Sequence, residues 1–137
     1  MAANIQPKSF VLNICGAPYA SSAPLSALRF AKAALAAGHT IQRVFLSQEG
    51  VTLANNLSCP LQDETNLTKA WQALAKAHQL ELTVCVAAAL KHGIVDAKEA
   101  ARYGLEHHNL AEGFVLTGLG QLVDGMANAD RTLTFSR

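Results

Sequence analysis

Apolar residues along this chain fall into two alternating patterns: short runs of strand character, and stretches with apolar positions three and four apart. The first run, 9–15, is stopped by Gly16 and Pro18 and reads as a buried strand. Ser21 and Ser22 then offer N-caps, and Pro24 suits a first helical turn, where its missing N–H would have had no partner. Leu25, Leu28 and Leu35 form the stripe of that helix and Gly38 its stop. A second strand is expected at 41–47, then a short helix and a loop over 49–62, the loop centred on Cys59 and Pro60. Leu67, Trp71, Leu74 and His78 mark a longer helix, and Asp63 and Glu64 just ahead of it are placed to favour its dipole. The third strand spans 80–86. An alanine-rich helix closed by Gly93 follows it, and a further helix opens at the capping-box pair Asp96 and Glu99. Residues 117–128 read as helix and 131–135 as the last strand.

Strand alternating with helix implies a mainly parallel sheet covered on both faces, a three-layer α/β/α fold in the α/β class. With 137 residues and no linker, repeat or low-complexity segment, a single domain over 1–137 is expected, 1–7 being a flexible N-terminal extension. Half the residues are apolar, which argues against disorder. The formal net charge is +1 and no run of Lys or Arg is present, so the positive stripe that direct nucleic-acid binding needs is missing. No stretch approaches a signal peptide or a membrane span. The three cysteines, Cys15, Cys59 and Cys85, are irregularly spaced and fit neither a disulfide framework nor a metal motif. Free thiols in the cytoplasm are the economical reading. None of the five histidines sits at ligand spacing from a carboxylate or cysteine, so neither a metal nor another cofactor is expected.

In open parallel sheets, reactive groups gather beyond the carboxyl ends of the strands. Three features belong there: the loop Cys15 to Tyr19, the turn Ser47 to Gly50, and Cys85. Cys85 shares strand parity with Glu81 and Thr83 and lies where strand gives way to helix, near unpaired N–H groups that favour thiolate. On spacing alone, a small buried structural residue fits Cys85 somewhat better than a nucleophile does. His92 lies seven residues further along, roughly 10 Å at 1.5 Å per residue, too far to be its hydrogen-bonded base. Cys15 is equally open to a core role or a reactive one, and Cys59 sits in a polar loop. The loop from Gly16 to Ser22 could cradle a phosphate, but it carries no glycine-rich phosphate motif.

The segment Cys85-Val-Ala-Ala-Ala-Leu-Lys-His-Gly-Ile-Val-Asp96 resembles the active-cysteine segment of the TusD/DsrE family of sulfurtransferase subunits. Four more stretches resemble it in order: Gly16 to Tyr19; Phe45 to Val51 with Ala54 and Asn55; Asp63 and Glu64 ahead of Ala70 to Gln72; and Gly113 to Gly120. The resemblance runs from about Phe10 to Phe135 and implies a DsrE-like fold with Cys85 as catalytic residue. It also implies a hetero-oligomer, typically a heterohexamer, with TusB-like and TusC-like subunits. Sulfur would arrive from a TusA-like carrier as a persulfide on Cys85 and leave to a TusE/DsrC-like acceptor, for 2-thiouridine formation at the tRNA wobble position. Two alternatives stand beside it: a DsrE-like role in dissimilatory sulfur oxidation, and a non-catalytic interaction subunit of such a complex. Cys15 and the N-terminal extension lie outside the matched pattern.

Overall fold

The backbone alternates as the apolar pattern requires. The computed structural model describes residues 6–137, so most of the expected N-terminal extension, 1–5, lies outside the described residues. Strand β1 (Ser9–Ile14) leads to helix α1 (Ala23–Ala36) and strand β2 (Thr40–Leu46). A 3₁₀ segment (Gln48–Ala54) and helix α2 (Leu67–His78) precede strand β3 (Leu82–Cys85), which passes directly into helix α3 (Val86–Lys91). Helix α4 (Ala97–Arg102), strand β4 (Phe114–Thr117), helix α5 (Gly120–Asn128) and strand β5 (Arg131–Phe135) complete the chain.

All strand pairs are parallel and the sheet order is β4-β3-β2-β1-β5. Stepping β1 to β4 always in one direction with right-handed crossovers puts α1 to α4 on one face. The return to β5 at the far side of β1 runs the other way and puts α5 on the opposite face. The contacts agree. Phe10, of one parity in β1, meets Phe30 of α1 edge-on at 5.1 Å, while Val11 and Arg43, of the other parity, lie against Gly125 of α5. The result is a three-layer α/β/α domain on a five-stranded parallel sheet. Its core holds Leu12, Ile14, Val44, Leu46, Val84 and Trp71, all fully buried, and the Trp71 indole N–H donates to the Pro24 carbonyl at 3.2 Å. No helix among the described residues is long and apolar enough to cross a membrane.

Local details depart from the sequence expectations at four places. Helix was expected from residue 117, yet Phe114–Thr117 is a strand and α5 begins at Gly120. Four residues between Gly113 and Gly118 are too few to show a period, and pairing with β3 decides their state. The third strand is shorter than 80–86, because Val86 already belongs to α3. Ser22 occupies the N-cap of α1 without a capping bond, and it is Ser21 whose hydroxyl accepts from the Ala23 N–H. At α2 the cap is Asn66, accepting from the Lys69 N–H. Asp63 and Glu64 stay in the preceding loop, where the Glu64 carboxylate takes the Leu61 N–H instead.

Candidate functional site

The carboxyl ends of the strands line up the chemistry. Register pairs Ile14 with Leu46, Leu46 with Val84, and Cys85 with Thr117. One step past the first two pairs, Cys15 and Ser47 continue the row in which Cys85 and Thr117 stand. The row across this rim is therefore Cys15, Ser47, Cys85, Thr117, all of the parity that faces α5. The backbone carries the register this far: the Cys15 N–H donates to the Phe135 carbonyl at 2.9 Å and the Ser47 N–H to the Ile14 carbonyl at 3.0 Å.

Cys85 ends β3 and is the N-cap residue of α3, with extended backbone (φ −60°, ψ 114°). The strand pattern delivers it to the rim, and the alanine run turns the chain into helix immediately after. At six residues α3 has little macrodipole, so the local positive potential comes from the unpaired N–H groups of its first turn. Cys85 is buried, 8% exposed, and belongs to the hydrophobic core cluster.

Cys15 is exposed to the same 8% but differs in its company. Its Sγ lies 3.2 Å from Ser47 Oγ, and the Ser47 hydroxyl donates to Asn13 Oδ1 at 2.9 Å. Ser47 has one proton and spends it on Asn13, so the sulfur contact is filled by the Cys15 S–H. With strands ~4.8 Å apart, Cys15 and Cys85 stand about 9.6 Å apart at Cα. A disulfide reaches only ~7 Å, so the two cannot bridge directly.

The other candidates disperse. Cys59 is exposed in its loop, its thiol 3.4 Å from the Leu57 carbonyl. His92 ends α3 on the surface and no hydrogen bond joins it to Cys85. The loop from Gly16 to Ser22 spends its serine locally: the Ser21 N–H donates to the Ala17 carbonyl, and the Ser21 hydroxyl accepts from the Ala23 N–H. Tyr19 leaves that loop in a left-handed conformation (φ 68°), and its hydroxyl bridges the Thr65 carbonyl and the Leu67 N–H at the start of α2. Surface cavities of 560, 370 and 230 Å³ lie around Gln72, Cys59 and Tyr19 respectively, and Cys85 lines none of them. Sequence reasoning missed Asn13 and Thr117. The one usable signal for Thr117 was the apolar run 114–116 set between glycines, which marks a short buried strand.

A model of the DsrE/DsrF-like family matches residues 8–135. The chain belongs to this family. A "Sulfurtransferase TusD homolog" of Vibrio parahaemolyticus is 48% identical over 127 residues, 93% of this chain and 97% of the relative. A "Sulfurtransferase TusD" of Pectobacterium carotovorum is 46% identical over 127 residues, 93% of this chain and 98% of that one. The crystal structure of the YchN protein of E. coli superposes with a TM-score of 0.70 at 22% identity, covering 95% of this chain and all of that one, which shows a shared fold. As a DsrE/DsrF-like protein with TusD sulfurtransferases among its near relatives, the chain has the family background of a sulfur-relay sulfurtransferase.

Proposed function

We propose that this protein is a cytoplasmic sulfur-relay subunit that carries sulfur as a persulfide on Cys85. In this reading a TusA-like carrier delivers sulfur to Cys85. A TusE/DsrC-like protein then receives it for 2-thiouridine formation at the tRNA wobble position, within a hetero-oligomer with TusB-like and TusC-like subunits. The observation that carries the reading is the placement of Cys85 at the junction of β3 and α3, on the carboxyl rim of the sheet. The likeness to TusD sulfurtransferases over nearly the whole chain favours tRNA thiolation over sulfur oxidation.

The chemistry asks little of the protein beyond access and charge. Cys85 thiolate attacks the outer sulfur of the carrier persulfide, the carrier S–S bond breaks, and the carrier leaves as thiolate. Cys85–S–S⁻ results. The acceptor thiolate then takes the outer sulfur in a second exchange, returning Cys85 to its starting state with no net oxidation. No metal or organic cofactor enters either step. With Cys85 buried at 8% exposure, delivery and removal of the sulfur require a partner segment that reaches into the rim. Support for assembly with other subunits comes from apolar side chains left in water: Leu119, Val123 and Met126 along one side of α5, and Val115 on β4.

The test is sulfur loading with a cysteine desulfurase, cysteine and carrier. Wild type is expected to gain one sulfur atom by intact mass, and Cys85→Ser none. Equal gain by the Ser variant would falsify the assignment.

A further inference from the structure

Thr117, one strand beyond Cys85, carries a hydroxyl that the fold leaves unused. The two residues are direct partners across β3 and β4, so their side chains project from the same face of the sheet. Thr117 Oγ1 is buried and has no hydrogen-bond partner among the described residues. Buried hydroxyls nearly always have one, because losing water without a replacement is unfavourable. The neighbouring hydroxyls obey that rule. Ser47 donates to Asn13, Thr83 to the Val44 carbonyl, and Ser21 accepts from Ala23. Thr117 stands apart from them, and it stands beside the sulfur.

No hydrogen bond joins this hydroxyl to the Cys85 thiol itself. Directly paired residues have Cβ atoms about 5 Å apart, and a second sulfur extends about 2.0 Å beyond the first. We propose that the Thr117 hydroxyl donates a hydrogen bond to the outer, negatively charged sulfur of a Cys85 persulfide. The inference rests on Cys85 as the carrier and names the group of this chain that holds its cargo. In the loading step the donor S–S bond breaks as the Cys85–S–S⁻ bond forms, the donor thiolate leaves with the bonding pair, and Thr117 keeps its proton throughout. A donor that meets the persulfide and not the thiol stabilises only the loaded state. It thereby shifts the exchange toward loading.

The experiment equilibrates the protein with glutathione persulfide and glutathione at fixed ratio and reads occupancy by intact mass. Thr117→Val keeps the shape and removes the donor, so its loading equilibrium constant is expected to fall about tenfold, the order one hydrogen bond to a charged group supplies. Thr117→Ser restores the donor and is expected to restore loading. Alkylation of the unloaded Cys85 thiol should stay within about twofold of wild type in both, a readout that a merely structural role would move. The inference is overturned if Thr117→Val loads like wild type, if Thr117→Ser loads no better than Thr117→Val, or if thiol alkylation falls in step with loading. Cys85→Ser in the same assay separates the two claims. If that variant still loads, Cys85 is not the carrier; if it does not, the Thr117 variants alone decide.

Discussion

Gly50 shows how a single missing side chain shapes the rim. The 3₁₀ segment folds back over the end of β1, and a Cβ at Gly50 would overlap the Ile14 carbonyl oxygen. That carbonyl accepts the Ser47 N–H, and the Gly50 N–H returns to the Ser47 carbonyl at 2.9 Å, so the turn cannot slide outward without breaking both bonds. Gly50→Ala is therefore expected to lower stability by about 1–3 kcal/mol, the usual cost of forcing atoms into a filled space. A urea midpoint unchanged from wild type would mean that the turn relaxes freely. The glycine was visible in the sequence, but its reason was not, because that reason is a carbonyl thirty-odd residues earlier. Cys85 lies at the opposite extreme. The parity of 80–86 and the alanine run after it are local, so its position at a strand end was legible directly. Thr117 was not, since its importance is a matter of register between two strands, one of which was unrecognised.

Among the elements, α5 depends most on a single residue. Among the described residues it is the one helix on its face of the sheet, and Arg43, only 12% exposed, rises from β2 beneath it. The guanidinium donates to the Gln121 carbonyl at 2.7 Å and, through Nε and Nη2, to Glu81 at 3.1 and 2.7 Å, with Asp124 3.7 Å away. Glu81 and Asp124 are largely in solvent, so the ion pairs themselves add little, and the bond to the helix backbone matters more. Arg43→Met keeps the stem that packs beside Gly125 but removes every one of these bonds. A loss of about 1–2 kcal/mol is expected, together with faster hydrogen exchange confined to 120–128. Exchange rising equally in α1 would point to global destabilisation instead. A sequence pattern cannot show such an anchor: Arg43 reads as an exposed strand charge until α5 is placed over it. The same limit applies to Asn109. Its amide accepts the Val95 N–H and donates to Asn55 and the Gly93 carbonyl, tying the 3₁₀ segment to the loops around α4. Conversely, the cap Asp96 was legible because its acceptor role, for the Glu99 N–H at 2.7 Å, needs only three residues of chain.

For the molecule as a whole, alternation and crossover handedness made the layers readable, while the place of β5 beside β1 was set by contacts no local pattern encodes. One of those contacts closes the fold across nearly its full length. The Asp130 carboxylate accepts from the Ser9 N–H at 2.8 Å and the Ser9 hydroxyl at 3.2 Å, joining the start of β1 to the turn that feeds β5. These two bonds, the backbone one first, hold the Asp130 carboxyl below its ordinary 3.8, with smaller help from the Lys8 and Arg131 charges. A carboxyl lowered by folding stabilises the native state wherever it is ionised in both states, above its unfolded value. That contribution drains away as pH falls through the folded value. Asp130→Asn should therefore be less stable than wild type at about pH 7, with the gap narrowing below 3.8 and closing once the wild-type carboxylate is itself protonated. The group is fully exposed, so added salt should weaken only the part due to Lys8 and Arg131 and leave the Ser9 bonds in place. Urea unfolding of both proteins at neutral and acid pH measures the gap. If it stays constant across that range, the loss comes from the altered amide shape in the turn and not from the charge on Asp130.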